Sequence, residues 1–429
     1  MNKSKPCNRR TFLKSAAAAS LFPAIIPASA FSARERALPS DRITMGIIGT
    51  GGQGIDNMKN FMRNRNVQVL AVCDVDAAHR EEARQLVNKF YGNTDCAACN
   101  DFSEITRRDD IDAVCIATPD HWHVLPALDA ARHGKDMYVQ KPLALTIREG
   151  RVLSDVVKEA GRILQTGSQQ RSDKRFRQAC ELVRNGRIGK LHSVHIGIPD
   201  NNRQCSPTWV PEPVPEGLDY DLWLGPAPYA EYHSDRCHYN FRFILDYSGG
   251  QVTNFGAHNL DIAQWALDMD DSGPVEISGN GIFPASGIFT TATRVFFECI
   301  YENGVRLTCK TGKFGMQFEG SEGTIYVDRK EIRSVPDTIL KEEIGENEIH
   351  LYESRDHFRN FLDCVVSREQ PICNAEVGHR SSSLCNLGNI SMLLGRRLVW
   401  DPKAEQFKED AEANGMLARE MRGEWSLEG

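Results

Sequence analysis

Gly49-Thr50-Gly51-Gly52-Gln53-Gly54 has the spacing G-x-G-x-x-G, between an apolar run and a helix-forming one, and Asp74 follows Gly54 by 20 residues. In that setting Gly49 permits a tight turn. Gly51 lets the backbone approach a diphosphate, and Gly54 lets the next helix pack against the strand. Thr50, Gly52 and Gln53 complete a loop whose free N–H groups meet an anion at the positive helix end. A carboxylate at Asp74 accepts bonds from ribose hydroxyls and repels a 2′-phosphate, so the expected dinucleotide is NAD rather than NADP. Nicotinamide exchanges hydride, and a carbinol donor needs a base for its hydroxyl proton. A base works best with a pKa near ambient pH, which suits His258. Lys141, before Pro142, also qualifies if burial and the oxidised ring's positive charge lower its pKa. If it stays charged, it stabilises a developing alkoxide instead. If 254–265 is helical, Asn254, His258, Asp261 and Trp265 share one face. That places a polar neighbour on each side of His258, with Trp265 in the core.

These residues need two kinds of scaffold. From Ile43 onward, apolar runs such as "ITMGIIG", "VQVLAVCDV", "IDAVCIATP" and "DMYVQKP" alternate with helix-like segments. That rhythm predicts a parallel sheet covered on both faces, ending near residue 165. Beyond it, "LHSVHIGIP", "VEISGNGIF", "TRVFFECIY", "GVRLTCKTG" and "GTIYVDR" are separated by short turns. They predict an antiparallel sheet covered on one face by helices at 255–268, 355–368 and 376–395. The stretch 200–240 is rich in Pro, Trp, Tyr and His and has little periodicity. A long irregular segment of this kind is often functional.

The first residues read as a targeting segment. "NRRTFLK", Asn8 to Lys14, is a twin-arginine export pattern. A small, apolar stretch follows and ends in Ala28-Ser29-Ala30, a cleavage site. The expected organisation is a signal peptide at 1–30, a dinucleotide domain at 41–165, a substrate and oligomerisation domain at 166–400 and an extension at 401–429. Removing residues 1–30 takes away five cations, so the net charge moves from −7 to −12. An acidic surface without basic runs argues against nucleic acid and anionic membranes, and fits small neutral substrates. No later stretch suits a membrane span. Of 13 cysteines, only Cys96 and Cys99 in "CAAC" have a recognisable spacing. They read as part of a loop before the next strand rather than half a metal site. His121 and His123 in "DHWH" lack a third ligand, so no metal is expected.

Three further stretches carry a resemblance: "IATPDHWH" (Ile116–His123), Tyr138-Val139-Gln140-Lys141-Pro142-Leu143 and "GGQVTNFGAHNLDIAQW" (Gly249–Trp265). With "HFRNFLDCV" (His357–Val365) and "EANGMLAREMRGEW" (Glu412–Trp425), the chain resembles the glucose–fructose oxidoreductase / inositol dehydrogenase (Gfo/Idh/MocA) family. The resemblance implies an α/β fold: an N-terminal Rossmann domain and a C-terminal α+β domain with an open, mostly antiparallel sheet. It implies that Thr118, Pro119, Asp120 and His123 line the nicotinamide side, and that Lys141 stands beside the reacting carbon. His258 matches the catalytic histidine, and Gln169 a polar cofactor contact. Three positions depart from common family residues. Gln140 replaces a glutamate, Asp120 an asparagine, and Asn254 an aspartate found in several members.

The implied enzyme is an NAD-dependent oxidoreductase acting on CH–OH groups of a sugar, glycoside or cyclic polyol. Candidate substrate contacts are Arg171, Trp209, Tyr232, His238, Tyr239, Arg242, Asp246 and Asp261. The alternative is an NAD-dependent glycosidase working by transient oxidation and elimination. A non-catalytic sugar-binding module is disfavoured by intact Lys141 and His258. Twin-arginine export carries folded proteins, so NAD would leave the cytoplasm already bound, and the expected site of action is the periplasm. An open sheet face leads to the expectation of a homo-oligomer.

Overall fold

The computed structural model describes residues 42–201 and 208–428. The twin-arginine segment and its cleavage site lie outside these residues.

Five strands rich in branched apolar residues build the centre of the first domain: β1 (Ile43–Ile48), β2 (Val67–Cys73), β4 (Ala113–Ile116), β5 (Asp136–Val139) and β6 (Leu164–Thr166). With the short β3 (Ala97–Cys99) they form a six-stranded sheet of order β3-β2-β1-β4-β5-β6. Every pairing in it is parallel. All four residues of β4 and of β5 are buried, as strands covered on both faces must be. Helices α1 (Gly52–Met62), α2 (Ala77–Tyr91), α3 (Val124–Arg132) and α4 (Ile147–Glu159) provide the cover. Asp76 caps α2 through Ala78 N–H and His79 N–H, and Thr146 and Glu149 form a capping box on α4. Cys96 and Cys99 are buried free thiols, and Cys99 ends β3.

Helix α5 (Lys174–Arg184) leads into a second sheet. Its nine strands are β7 (Leu191–Ile198), β8 (Glu276–Gly279), β9 (Phe296–Ile300), β10 (Arg306–Thr311), β11 (Gly315–Gly320), β12 (Thr324–Val327), β13 (Ile332–Val335), β14 (Leu398–Asp401) and β15 (Gln406–Phe407). Their order is β13-β12-β11-β7-β10-β9-β8-β14-β15. The β7–β10 pair is parallel and the others are antiparallel. Alternate residues of β10 are buried, which marks one covered and one uncovered face. Helices α6 (Ala257–Leu267) and α8 (Ala375–Leu394) lie on the covered face.

The helix between them in sequence, α7 (His357–Ser367), goes elsewhere. It was expected on the second sheet but packs on the first domain. Phe61 meets Phe358 at 5.0 Å and Phe361 at 5.9 Å between ring centroids, and Phe358 stacks on Tyr138 at 5.3 Å. Its apolar stripe fits an aromatic hollow beside α1, and such ring pairs each add about 0.5–1.5 kcal/mol to simple burial. The domains are further tied where α4 crosses α8. A Cβ on Gly150 would fall 2.6 Å from His379 Nδ1, so glycine allows that approach. Arg151 spans the crossing, bonding Glu376 at 2.7 Å and Glu405 at 2.8 Å. The C-terminal tail also returns: Trp425 packs edge-on against Trp122 at 4.8 Å.

Candidate active site

A crevice of about 610 Å³ runs between the two domains and receives side chains from both. Its floor is the loop between β1 and α1. Gly49 has φ +84°, and a Cβ there would lie 2.6 Å from the Ala117 main chain. A Cβ on Gly54 would fall 1.9 Å from Gly49 O, which explains the third glycine of the motif. Gly51 and Gly52 face open space, and no side chain caps α1. The first N–H groups of this helix therefore point, unsatisfied, into a space that a diphosphate fits. Asp74 is oriented by Thr50, whose N–H reaches Oδ2 at 2.7 Å, and by the Asp76 N–H on Oδ1 at 2.9 Å. The residues present suit a dinucleotide with free ribose hydroxyls.

At the other end Lys141 leaves the turn after β5. Its Nζ donates to Asn254 O at 2.6 Å. The turn is held by His123, whose Nδ1 stands 2.7 Å from Pro142 O and whose Nε2 stands 3.0 Å from Thr118 O. Burial lowers the Lys141 ammonium to about 8; Asp120 resists this while Arg242 and Arg329 add to it. Asp120 is itself fixed by Ser248 Oγ at 2.6 Å. Gln140 donates to Asn57 Oδ1 at 3.2 Å. Its amide packs on Gly167, where a Cβ would come within 3.0 Å. Gln140 is thus a neutral clamp on α1.

His258 opens α6 and is 9% exposed. Burial first, then the nearby Lys141 and Arg329 charges, hold its pKa well below the ordinary value. Its Nδ1 is buried and has no hydrogen-bond partner among the described residues. The expected neighbours on either side of it are not there. Residues 252–256 form a π-turn, not an α-turn, so Asn254 is out of phase. Its side chain bonds Gln251 Oε1 at 3.1 Å while its main-chain oxygen holds Lys141.

Asp261 corrects a second expectation. It is fully buried and paired to Arg171 Nε at 2.9 Å. Arg171 also bonds Asp270 at 2.7 Å and stacks over Trp265 at 5.1 Å. Arg171 and Asp261 are thus a core ion cluster, not substrate contacts. Tyr232 is buried edge-on against Tyr220 at 5.1 Å, and Trp209 meets His233 edge-on with Arg236 over its ring. Both belong to an aromatic cluster whose Trp223 and Phe241 reach the crevice, but neither lines it itself. Asp246 is solvent-exposed and away from the lining. Gln169 bonds Tyr138 Oη at 3.0 Å and does not line the crevice either. His238, Tyr239 and Arg242 do line it.

Other lining residues were not anticipated. Arg329 enters from the β12–β13 turn, and Asp76 and His79 gather with the anticipated His238 near Asp74. The segment before Tyr220 bridges to the loop after β2, with Ala77 N–H on Gly217 O at 2.9 Å and Asp219 N–H on Val75 O at 3.0 Å. The only hint in sequence was the irregular composition of 200–240.

Comparison with known proteins agrees with this architecture. Residues 43–168 match the profile of the oxidoreductase family NAD-binding Rossmann fold, and 203–427 match that family's C-terminal alpha/beta domain. A glycosyl hydrolase family 109 protein of Shewanella pealeana is 32% identical over 164 residues, 33% of this chain and 35% of that protein. Inositol 2-dehydrogenase of Burkholderia cenocepacia is 29% identical over 194 residues, 44% of this chain and 56% of that protein. The matched region thus spans about a third to a half of these relatives. Among solved structures, the WlbA dehydrogenase of Bordetella pertussis, in complex with NADH and UDP-GlcNAcA, superposes with TM-score 0.63 at 16% identity, covering 84% of this chain and 99% of that one. Scyllo-inositol dehydrogenase of Lactobacillus casei, with NAD(H) and scyllo-inositol, gives 0.60 at 17%, covering 83% and 99%. At such identities the likeness is one of fold. With both halves matched in order, the chain belongs to the Gfo/Idh/MocA oxidoreductase family.

Proposed function

We propose that the protein is an NAD-dependent oxidoreductase exchanging hydride with a hydroxyl-bearing carbon of a sugar, glycoside or cyclic polyol. The observation that carries this reading is Lys141 Nζ, held at the domain junction by Asn254 O at 2.6 Å. With a pKa brought down to about 8, Lys141 is matched to accept or return the hydroxyl proton near neutral pH. His258 stays neutral, and its imidazole lines the crevice where it would orient the reacting hydroxyl. Bound nicotinamide supplies the two-electron acceptor. Gly51, Gly52 and Gln53 hold its diphosphate and Asp74 its ribose. The named relatives and the sugar-bound neighbours of the same fold support a carbohydrate substrate. Incubating the NAD-loaded protein with a panel of glycosides and polyols, while following the absorbance of reduced nicotinamide, tests this. No absorbance change with any of them defeats it.

The likeness to glycosyl hydrolase family 109 favours a second reading. Hydride passing from one ring carbon to bound NAD would acidify the neighbouring C–H, loss of that proton would expel the aglycone, water would add across the resulting double bond, and return of the hydride would restore the carbinol. Product analysis separates the two: a keto sugar with its linkage intact, or a freed aglycone.

The location is part of the proposal. Arg9 and Arg10 support export by the twin-arginine route to the periplasm. The Gly217–Asp219 strap beside the ribose end supports a dinucleotide that does not exchange. Absorbance of periplasmic protein after denaturation tests for retained NAD. A homo-oligomer covering the open face of the second sheet is also proposed; light scattering measures it.

A further inference from the structure

Arg329 lines the crevice from the β12–β13 turn, and its Nε donates to Gln170 Oε1 at 3.0 Å. Gln170 is 5% exposed and is tied in turn to Asn259 Oδ1 at 3.1 Å and His258 O at 3.3 Å. The guanidinium lies 5.2 Å over the Phe314 ring, which packs against Phe255 at 5.6 Å. A buried amide thus fixes one edge of the fork and an aromatic ring fixes one face. The remaining N–H groups are left for the crevice. Among the described residues no carboxylate pairs with Arg329. Arg242 is in the same condition: it bonds Tyr239 O at 3.0 Å and lies over Tyr239 and Phe241, with no acid among its described partners. Lys141 is a third cation here, and the Asp120 carboxylate beside it is one negative group facing three positive ones.

Arg329 is exposed to the crevice and Arg242 is half-buried, so both forks are open to an incoming ligand. A planar fork with free N–H groups matches a two-oxygen anion. The diphosphate of a dinucleotide is one such anion, but its place is the α1 N-terminus. The charge of Arg329 acts instead on Lys141 and His258, at the reacting end.

We propose that the substrate carries an acidic oxygen group, a carboxylate or a sulfate ester, and that Arg329 is its anchor. This rests on the oxidoreductase reading above. It also revises the neutral substrate expected from overall charge. Net charge describes the outer surface, whereas a low-dielectric crevice keeps its own field.

The test is calorimetric titration of NAD-loaded protein with methyl β-D-glucuronide, methyl β-D-glucoside 6-sulfate and methyl β-D-glucoside, with nicotinamide absorbance followed in parallel. One of the two acids should bind roughly tenfold to a hundredfold more tightly than the neutral glycoside, and the tighter one names the acidic group. Arg329→Gln should collapse the acid-to-neutral ratio toward one with NAD still bound. Arg329→Lys, folded like the parent by thermal melting, should recover part of it. Equal affinity for all three sugars, equal weakening of all three by Arg329→Gln, or release of NAD from that variant overturns the proposal. The two readings fail separately. Nicotinamide reduced by the neutral glycoside alone sinks the anchor and spares the oxidoreductase. Tight acid binding without any reduction keeps the anchor and sinks the redox reading.

Discussion

Lys141 Nζ reaches across the crevice to the main-chain oxygen of Asn254, 2.6 Å away. A side chain of the first domain is thereby seated on the π-turn that leads into the helix bearing His258. The contact sets the spacing of the two basic groups, and it sets it through backbone, so no particular side chain at 254 is needed. Asn254→Ala should retain most of the turnover, while Lys141→Met should lower kcat by roughly 10²–10⁴-fold, the usual worth of a positioned proton acceptor. Comparable losses in both variants would assign the role to the Asn254 amide.

The pH profile follows from burial of Lys141. Its folded pKa of about 8 lies below the free amine value, so the neutral base becomes available as pH rises. kcat/KM for oxidation should climb tenfold per pH unit below about 8 and level off above it, and reduction should show the mirror limb. A profile breaking well below the ordinary histidine range would point to His258 instead.

Gly51→Ala separates cofactor binding from folding. The new methyl meets no protein atom within 4 Å, so Tm should hold. It would occupy the space where a diphosphate approaches the loop, so NAD affinity, measured by fluorescence titration, should fall at least roughly tenfold. Gly54→Ala should fail differently, because its methyl collides with Gly49 O and the loop itself must shift.

Asp261 lies in the core, and its variant should behave accordingly. Asp261→Asn leaves buried Arg171 with Asp270 as its remaining acid partner, and breaking a buried pair costs about 3–5 kcal/mol. With Asp270 retained, the lower end is expected in urea unfolding, and KM should stay near that of the parent. A raised KM at unchanged stability would return Asp261 to the substrate site.

Acid should loosen the junction of α4 and α8. Burial alone would raise the Glu405 carboxyl, but hydrogen bonds from His379 and Arg151 outweigh it and bring it down to about 2. Glu376 is held at about 2 in the same way by Arg151 and Arg380. A depressed carboxylate contributes stability that is complete above its unfolded pKa and is lost as pH falls through the folded one. Tm should therefore decline between about pH 5 and pH 2. The gap between parent and Glu405→Gln should close over the same window.

What the sequence determined by itself is local or periodic. Apolar runs of strand length, glycines at fixed offsets and an acid ending β2 are decided within a few tens of residues. The parallel sheet, the loop beneath the crevice and Asp74 were legible for that reason. Even there one element misled: the stripe of Phe358 and Phe361 shows that α7 is amphipathic but not which hollow it fills.

The tertiary structure decided which cations are structural and which serve the site. Arg171 and Arg329 are the same residue type, yet the first is neutralised by acids 90 and 99 positions away while the second faces the crevice beside a neutral amide. Likewise Asn254 lost its place beside His258 because the backbone forms a π-turn there. Charge pairing and helix phase depend on partners brought together from distant segments. Those partners exist only once both domains have closed on each other.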